Sequence, residues 1–506
     1  MRDPAFYRYR LGVRLAHAAT VLLLGPLYLT GIRLGSIMGE QPTLEPGSLF
    51  DRLAPTGDIF AWHAAFGYIL TAVGIFYFAH LLLTDQLRRL TNIFTHLRYK
   101  LGKKLFYLTM LFLGATAVLS GITLQLGLFS APDGFVLMHW LHRYSAGILL
   151  LMTIAHIVET IANKESRVNS IFFDPVFPGF VQTRALVLSG ILGLTILVGL
   201  FMIPSTYSRL TLKNIPGIVE IDGIVNEPQW AEADSVTIGL IGGANFESSA
   251  SMATVKAFVD HANLYLLLTY SDPDYSSNRH LIKTDTGWIV QKSAYLNLFD
   301  ESIYWEDQVA LSLSRDAGGC AATCHIGNKG AYGNHDAVDD TLDLWVWQAV
   351  GTNPVAQADD RFMAMATDSN SNGIFVDNPA AGSTHSNLNE DWRQPYLLDL
   401  TTNKHSWLRV DSYNAVPYFS GGDSLPVGAI QPAVLVGELH GDRGDIRAFG
   451  RWHDNIWTIE MRRRLRTGSP HDLEINDPIR LNVALFDNAR KKHAFHLQAI
   501  RLDLEQ

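Results

Sequence analysis

Five stretches of the 506-residue chain are apolar along almost their whole length, and all lie in the first 204 residues. They run over about 11–31, 60–83, 105–129, 135–161 and 185–204. Each can cross a hydrocarbon core of ~30 Å, which takes about 20 helical residues. Beyond residue 217 the period changes to two. VTIGL, ATVKAFVD, LYLLLTYSD and DQVALSLS are short strand-like runs separated by Asp, Gly, Pro and Asn, and IRLNVALFD follows near the C-terminus. The junction STYSRLTLKNIPG reads as a linker over 205–217. The predicted fold is therefore multi-domain: a five-helix transmembrane bundle (1–204), then an exported antiparallel β-sandwich (218–506).

Charge divides the chain at the same place. Residues 1–209 hold 17 Lys+Arg against 10 Asp+Glu, whereas residues 210–506 hold 23 against 39. The acidic second half argues against nucleic acid, whose phosphates need a basic footprint. Lys and Arg gather before the first span (Arg2, Arg8, Arg10, Arg14), between spans two and three (Arg88, Arg89, Arg98, Lys100, Lys103, Lys104), and between spans four and five (Lys164, Arg167, Arg184). By the positive-inside rule the N-terminus is cytoplasmic, and five crossings put the second half outside, in a periplasm if the cell is Gram-negative. The membrane is then the inner one. The first span has the basic flank of a signal peptide but no small-residue cleavage site after it, so it is expected to stay.

Seven of the 18 His lie in the first 209 residues, several inside apolar runs where a polar ring is costly. His17 and His156 fall near the inner ends of spans one and four. His63 and His142 fall near the outer ends of spans two and four. His142 and His156 are separated by 14 residues, which on a helix is ~21 Å of rise and leaves the two rings within about 40° of one another. One helix thus offers two imidazoles to one bundle face at two depths. Each has a matching partner: His17 with His156, His63 with His142. Two stacked bis-His sites suit two hemes b, since neutral imidazole is a good iron ligand and an apolar bundle holds the macrocycle. A single His of this kind is more often an interface residue or proton relay; four at matched depths favour heme. His139, one turn before His142, is the rival for the outer site. His80 is a weaker candidate, and His96 lies in the basic loop.

This pattern resembles the cytochrome b subunits of membrane formate dehydrogenases and nickel–iron hydrogenases, over about residues 5–205. The resemblance implies exchange of electrons between two hemes b and the quinone pool. Nothing in the sequence fixes a quinone pocket; Arg143 and Glu159 are weak candidates for its protons.

The only two Cys stand in GGCAATCHIGNKG, as Cys320 and Cys324 followed by His325. Heme c attachment needs two thiols for thioethers and an adjacent His for the iron. The usual motif is C-x-x-C-H; here it is C-x-x-x-C-H. An exported disulfide or a zinc site competes, but zinc would want a fourth ligand and there is no further Cys. The predicted site is heme c, with Cys320 and Cys324 as thioethers and His325 on iron.

The second half resembles the heme-binding gamma subunits of ethylbenzene dehydrogenase and dimethyl-sulfide dehydrogenase. The pieces are IDGIVNEPQWAEAD (221–234), EDQVALSLS (306–314), DLWVWQAV (343–350), GDRGDIRAFGRWHDNIWTIEMRRRLRTG (441–468) and LNVALFDNARKKHAFH (481–496). Those relatives hold a noncovalent heme b between Met and Lys. The resemblance implies that His325 takes the place of the Met and that His493 takes the place of the Lys. His496, His440, His335, Met363, Met365, Lys491 and Lys492 stand as alternatives to His493.

DSNSNG places Asp368, Asn370 and Asn372 on the spacing of a calcium loop, but position 12 is Pro379 rather than Glu, so a polar turn is the plainer reading. There is no P-loop, dinucleotide fingerprint or nucleophile elbow. The expected protein is a membrane-bound b/c-type cytochrome and a subunit of a respiratory complex. It would pass electrons between the quinone pool and a periplasmic redox protein or oxidoreductase. The alternative is a membrane-anchored carbohydrate-binding or docking sandwich with a disulfide in place of heme c.

Overall fold

The structure is a computed structural model. It describes residues 11–37, 59–84, 101–128, 131–162 and 180–202 of the first half. In the second half it describes 209–291, 305–315, 342–363, 425–476, 478–490, 493–496 and 498–505, together with short pieces between 375 and 417. The chain divides into two compact units at about residue 205.

The first unit contains five helices: α1 (Leu11–Ile37), α2 (Ile59–Leu83), α3 (Leu101–Gln125), α4 (Pro132–Ala162) and α5 (Phe180–Met202). All five are long and apolar enough to cross a membrane. α3 packs along α4, and α2 along α5. Large side chains such as Leu22, Leu111, Phe112 and Ile161 stay exposed on the helix surfaces. A water-soluble bundle would bury such residues; a bundle in lipid has no reason to. The chain is a multi-pass membrane protein.

The second unit is built on a 13-stranded, mostly antiparallel sheet. Its strands are β1 (Arg209–Asn214), β2 (Asp234–Ile241), β3 (Ala250–Val259), β4 (Asn263–Ser271), β5 (Gln308–Ser314), β6 (Leu342–Gln348), β7 (Asp359–Met363), β8 (Phe375–Asp377), β9 (Arg447–His453), β10 (Ile456–Arg464), β11 (Ile479–Phe486), β12 (Ala494–Phe495) and β13 (Ile500–Leu504). The order is β8-β7-β6-β5-β11-β12-β2-β3-β4-β10-β9, with β1 pairing in parallel to β13 and β3. Ile238, Val255 and Leu268 from one end of this order share one core with Leu311, Trp345 and Leu481 from the other. The sheet therefore folds over on itself, which buries one face of each half.

The segment expected to be a linker, 205–217, contains β1. Leu210 and Leu212 are almost fully buried and alternate with polar residues, so LTL is a strand, zipped to β13. A three-residue alternation is too short to be read as a strand without its partner.

The piece IDGIVNEPQWAEAD has a structural role. Pro228 precedes a one-turn helix, α6 (Gln229–Glu232), that buries Trp230. The Trp230 indole donates to Glu460 Oε1 at 2.7 Å, and Glu460 Oε2 accepts the backbone N–H of Asp222 and Gly223. A carboxylate buried in the sheet is satisfied by three donors.

Candidate functional site

The intramembrane histidines are held by their neighbours in a specific way. His63 projects from α2 and His142 from α4, and their rings stand 6.0 Å apart between centroids, at 89°. His142 Nδ1 lies 2.8 Å from the carbonyl oxygen of Ala117 on α3. A carbonyl can only accept, so Nδ1 carries the proton and Nε2 keeps its lone pair. Ser120, one turn on, sits at 3.4 Å from the same nitrogen.

His63 repeats the arrangement against α1. Its Nδ1 is 3.0 Å from Thr30 Oγ1. The Thr30 hydroxyl gives its own hydrogen to the backbone carbonyls of Pro26 (2.9 Å) and Leu27 (3.0 Å), so it accepts from His63. Both rings therefore present a bare Nε2, the form a metal needs.

Glycines make room for these rings. A Cβ on Gly31 would lie 3.1 Å from His63 Cε1, and one on Gly121 would lie 2.9 Å from His142 Cε1. Each glycine follows a hydroxyl residue, Thr30 in LTG and Ser120 in LSG. The hydroxyl-glycine pair on a facing helix was the legible signal that reading the histidines alone passes over.

His17 of α1 and His156 of α4 lie close enough to act on one another electrostatically. His156 sits on the same helix as His142, and the Tyr107 ring packs edge-on to it at 5.6 Å. His156 Nδ1 is buried with no hydrogen-bond partner. His139 packs edge-on against Phe135 at 4.8 Å. His80 is buried and stacks on Phe76, with Gly12 against its ring.

This donor set fits heme b. Metal–imidazole bonds of about 2 Å put the ligating nitrogens of two axial rings about 4 Å apart. Ring centroids at 6.0 Å are spaced accordingly. Neutral nitrogen donors on an apolar bundle suit iron in a macrocycle.

In the second unit, Cys320, Cys324 and His325 lie outside the described residues, as do Asp368, Asn370 and Asn372. His493 is half-buried beside the rings of Phe486 (4.9 Å) and Phe495 (6.0 Å). His496 is committed elsewhere. Its Nε2 accepts the Val483 N–H at 2.9 Å, and its Nδ1 donates to Gln498 O at 2.6 Å. Both nitrogens are used within the fold, and burial pushes the ring's pKa down to about 4. That sets His496 apart from His493 as a candidate ligand. His440 is exposed.

Residues 227–497 match the family model described as ethylbenzene dehydrogenase. The chain belongs to the ethylbenzene dehydrogenase family. Residues 8–172 of this ethylbenzene dehydrogenase family member match the model described as prokaryotic cytochrome b561. The helix bundle is accordingly a membrane cytochrome b that binds heme b and works in electron transfer. No curated protein matches the chain. Among solved structures, it is similar to a carbohydrate binding module family 9 from Caldicellulosiruptor kristjanssonii in complex with cellotriose, at 11% identity. That match covers 59% of this chain and 93% of the module, with a TM-score of 0.24. A putative carbohydrate-binding protein from Bacteroides uniformis matches at 6% identity over 59% of this chain and 99% of its own length, with a TM-score of 0.27. Likeness at that level decides nothing about ligand or fold.

Proposed function

We propose that this protein is a three-heme electron carrier linking the quinone pool to an external redox partner, as a subunit of a respiratory complex. His63 and His142 hold one heme b, and His17 and His156 hold the second about 21 Å away along α4. Cys320 and Cys324 hold a heme c by thioethers, with His325 and His493 on its iron. The N-terminus is cytoplasmic and the sheet domain lies outside, in the periplasm.

The observation that supports this best is the pair His63–His142: two rings 6.0 Å apart, each with Nδ1 occupied by a facing helix. A buried structural histidine spends both nitrogens inside the fold, as His496 does. In these two the Nδ1 bonds leave Nε2 as the unprotonated nitrogen.

The chain's own contribution to the chemistry is placement. Iron supplies the redox change. The apolar walls exclude water, the Nδ1 hydrogen bonds fix ring orientation and raise ligand basicity, and axial-ligand identity sets the potential. A quinol site would release protons as well as electrons; Arg143 and Glu159 are the charged groups on α4 nearest the two pairs in sequence.

The test is a pyridine hemochrome spectrum with heme staining on a denaturing gel, for wild type and Cys320→Ala/Cys324→Ala. Two hemes b and one covalent heme c are expected, with the stain lost in the double variant. Two hemes b with no covalent stain would remove the heme c and leave a docking sandwich with a disulfide. No heme would overturn the whole reading.

A further inference from the structure

Three carboxylates converge in the sheet domain. Asp272 follows β4, Asp307 precedes β5 and Asp487 follows β11. One oxygen of each lies within 4.8 Å of the others, and all three residues are buried. Among the described residues none of the three is ion-paired to Lys or Arg. Neighbouring Glu306 does have a cation, Arg279 at 2.9 Å. Where a second acidic group gathers in this domain, around Asp343 and Asp472, Arg463 sits inside it. Among the described residues the Asp272 group has no such partner.

Hydrogen bonds explain only part of this group. Asp307 accepts the N–H of Ser276 (2.8 Å), the N–H of Asn488 (3.0 Å) and the Trp457 indole (3.2 Å). Asp272 Oδ1 accepts the Asp274 N–H at 3.1 Å. Asp272 Oδ2 is buried with no partner, on a residue with 0% exposure.

A second observation comes from Tyr270. It stands two residues before Asp272, so strand alternation puts both side chains on one face. Its hydroxyl is buried, has no hydrogen-bond partner, and feels all three carboxylates. A phenol beside three carboxylates would ordinarily donate to one of them. Here its oxygen and the free oxygen of Asp272 are both left unspent.

We propose that Asp272, Asp307, Asp487 and Tyr270 form a calcium site that cross-braces the ends of β4, β5 and β11. Every donor is a hard oxygen, with no nitrogen or sulfur to favour zinc or copper. Calcium takes an irregular set of oxygens at about 2.3–2.6 Å, whereas magnesium demands a near-ideal octahedron and keeps most of its waters. Without a cation, three like charges in a buried space can persist only by taking up protons. This site is distinct from the DSNSNG segment, and it does not rest on any heme.

The test is equilibrium dialysis of the purified full chain with radioactive calcium, after removal of bound metal with a chelator. Asp487→Asn is the main variant, because among the described residues its carboxylate makes no hydrogen bond that holds the fold. Asp445→Asn, in the group around Arg463, is the control. Wild type is expected to take up calcium, and Asp487→Asn one equivalent less, with heme content and the melting transition in chelator unchanged. Asp445→Asn should keep that equivalent. Tyr270→Phe, which removes one oxygen, should weaken the affinity by about tenfold. No uptake by wild type, or equal uptake by wild type and Asp487→Asn, would overturn the site. If Asp487→Asn does not fold, unchanged affinity in Tyr270→Phe would do the same.

Discussion

His142 gives its Nδ1 proton to the carbonyl oxygen of Ala117 at 2.8 Å, across from α4 to α3. That one bond decides which tautomer the ring adopts, and therefore which nitrogen keeps its lone pair. Thr30 does the same for His63 from α1. The His63–His142 pair is thus positioned by four helices, two that carry the rings and two that orient them.

The first prediction concerns heme count. His142→Ala and His63→Ala should each lose one heme b and keep the other, because the second pair lies about 21 Å away on the bundle. His139→Ala should keep both, since its ring packs on Phe135. Pyridine hemochrome quantitation per chain checks this. Loss of a heme in His139→Ala would reassign the outer ligand.

Thr30→Val keeps the shape of the side chain but removes the acceptor for His63 Nδ1. Orienting partners of this kind are worth about 10–100-fold in metal affinity. Heme dissociation into apomyoglobin should speed up accordingly, for one heme only. Gly121→Ala probes the facing wall: its Cβ would meet His142 Cε1 at 2.9 Å, so the ring must shift and that heme's midpoint potential should move. Gly147→Ala, with nothing within 4 Å, is the control.

Arg463 and Asp343 form an ion pair in the sheet core, both with 0% side-chain exposure. Asp343 also accepts the Leu473 N–H and the Trp345 indole. Arg463→Met should cost about 3–5 kcal/mol, because it leaves an uncompensated charge in a buried site. Denaturant unfolding followed by tryptophan fluorescence measures this. A loss below 1 kcal/mol would mean that Asp343 simply takes up a proton.

The pH dependence of His496 has a definite sign. Its folded pKa is depressed to about 4 against an ordinary 6.5. The unfolded chain therefore takes up the proton first as pH falls. The stability owed to the neutral ring is present above pH 6.5 and is lost progressively from there down to about pH 4. The full span corresponds to about 3 kcal/mol. His496→Gln should flatten that part of the curve. The stability difference between wild type and variant should be larger at pH 7 than at pH 4.5. An equal difference at both values would show that the ring titrates normally in the fold.

Much of this molecule was legible along the chain. Spans of about 20 apolar residues have few alternatives to membrane helices, because their backbone groups must be satisfied within the segment. The break to a period of two at about residue 218 announced the sheet domain, and a 14-residue spacing on one helix set His142 and His156 on a common face at two depths. These are local properties, carried by periodicity, and periodicity survives without any knowledge of partners.

What the tertiary structure decided is everything that depends on a second segment. Strand β1 exists because Leu210 and Leu212 find β13, some 290 residues later. Which of His139 and His142 stands against His63 depends on which ring meets α2, and the tautomer depends on Ala117 and Thr30 of other helices. The Asp272–Asp307–Asp487 group draws its members from three strand ends across more than 200 residues, so no motif spacing could announce it. Sequence alone specifies which residues can do the chemistry. Packing specifies which atoms of those residues are left free to do it, because a ring nitrogen or carboxylate oxygen is available only when the surrounding fold has not already used it.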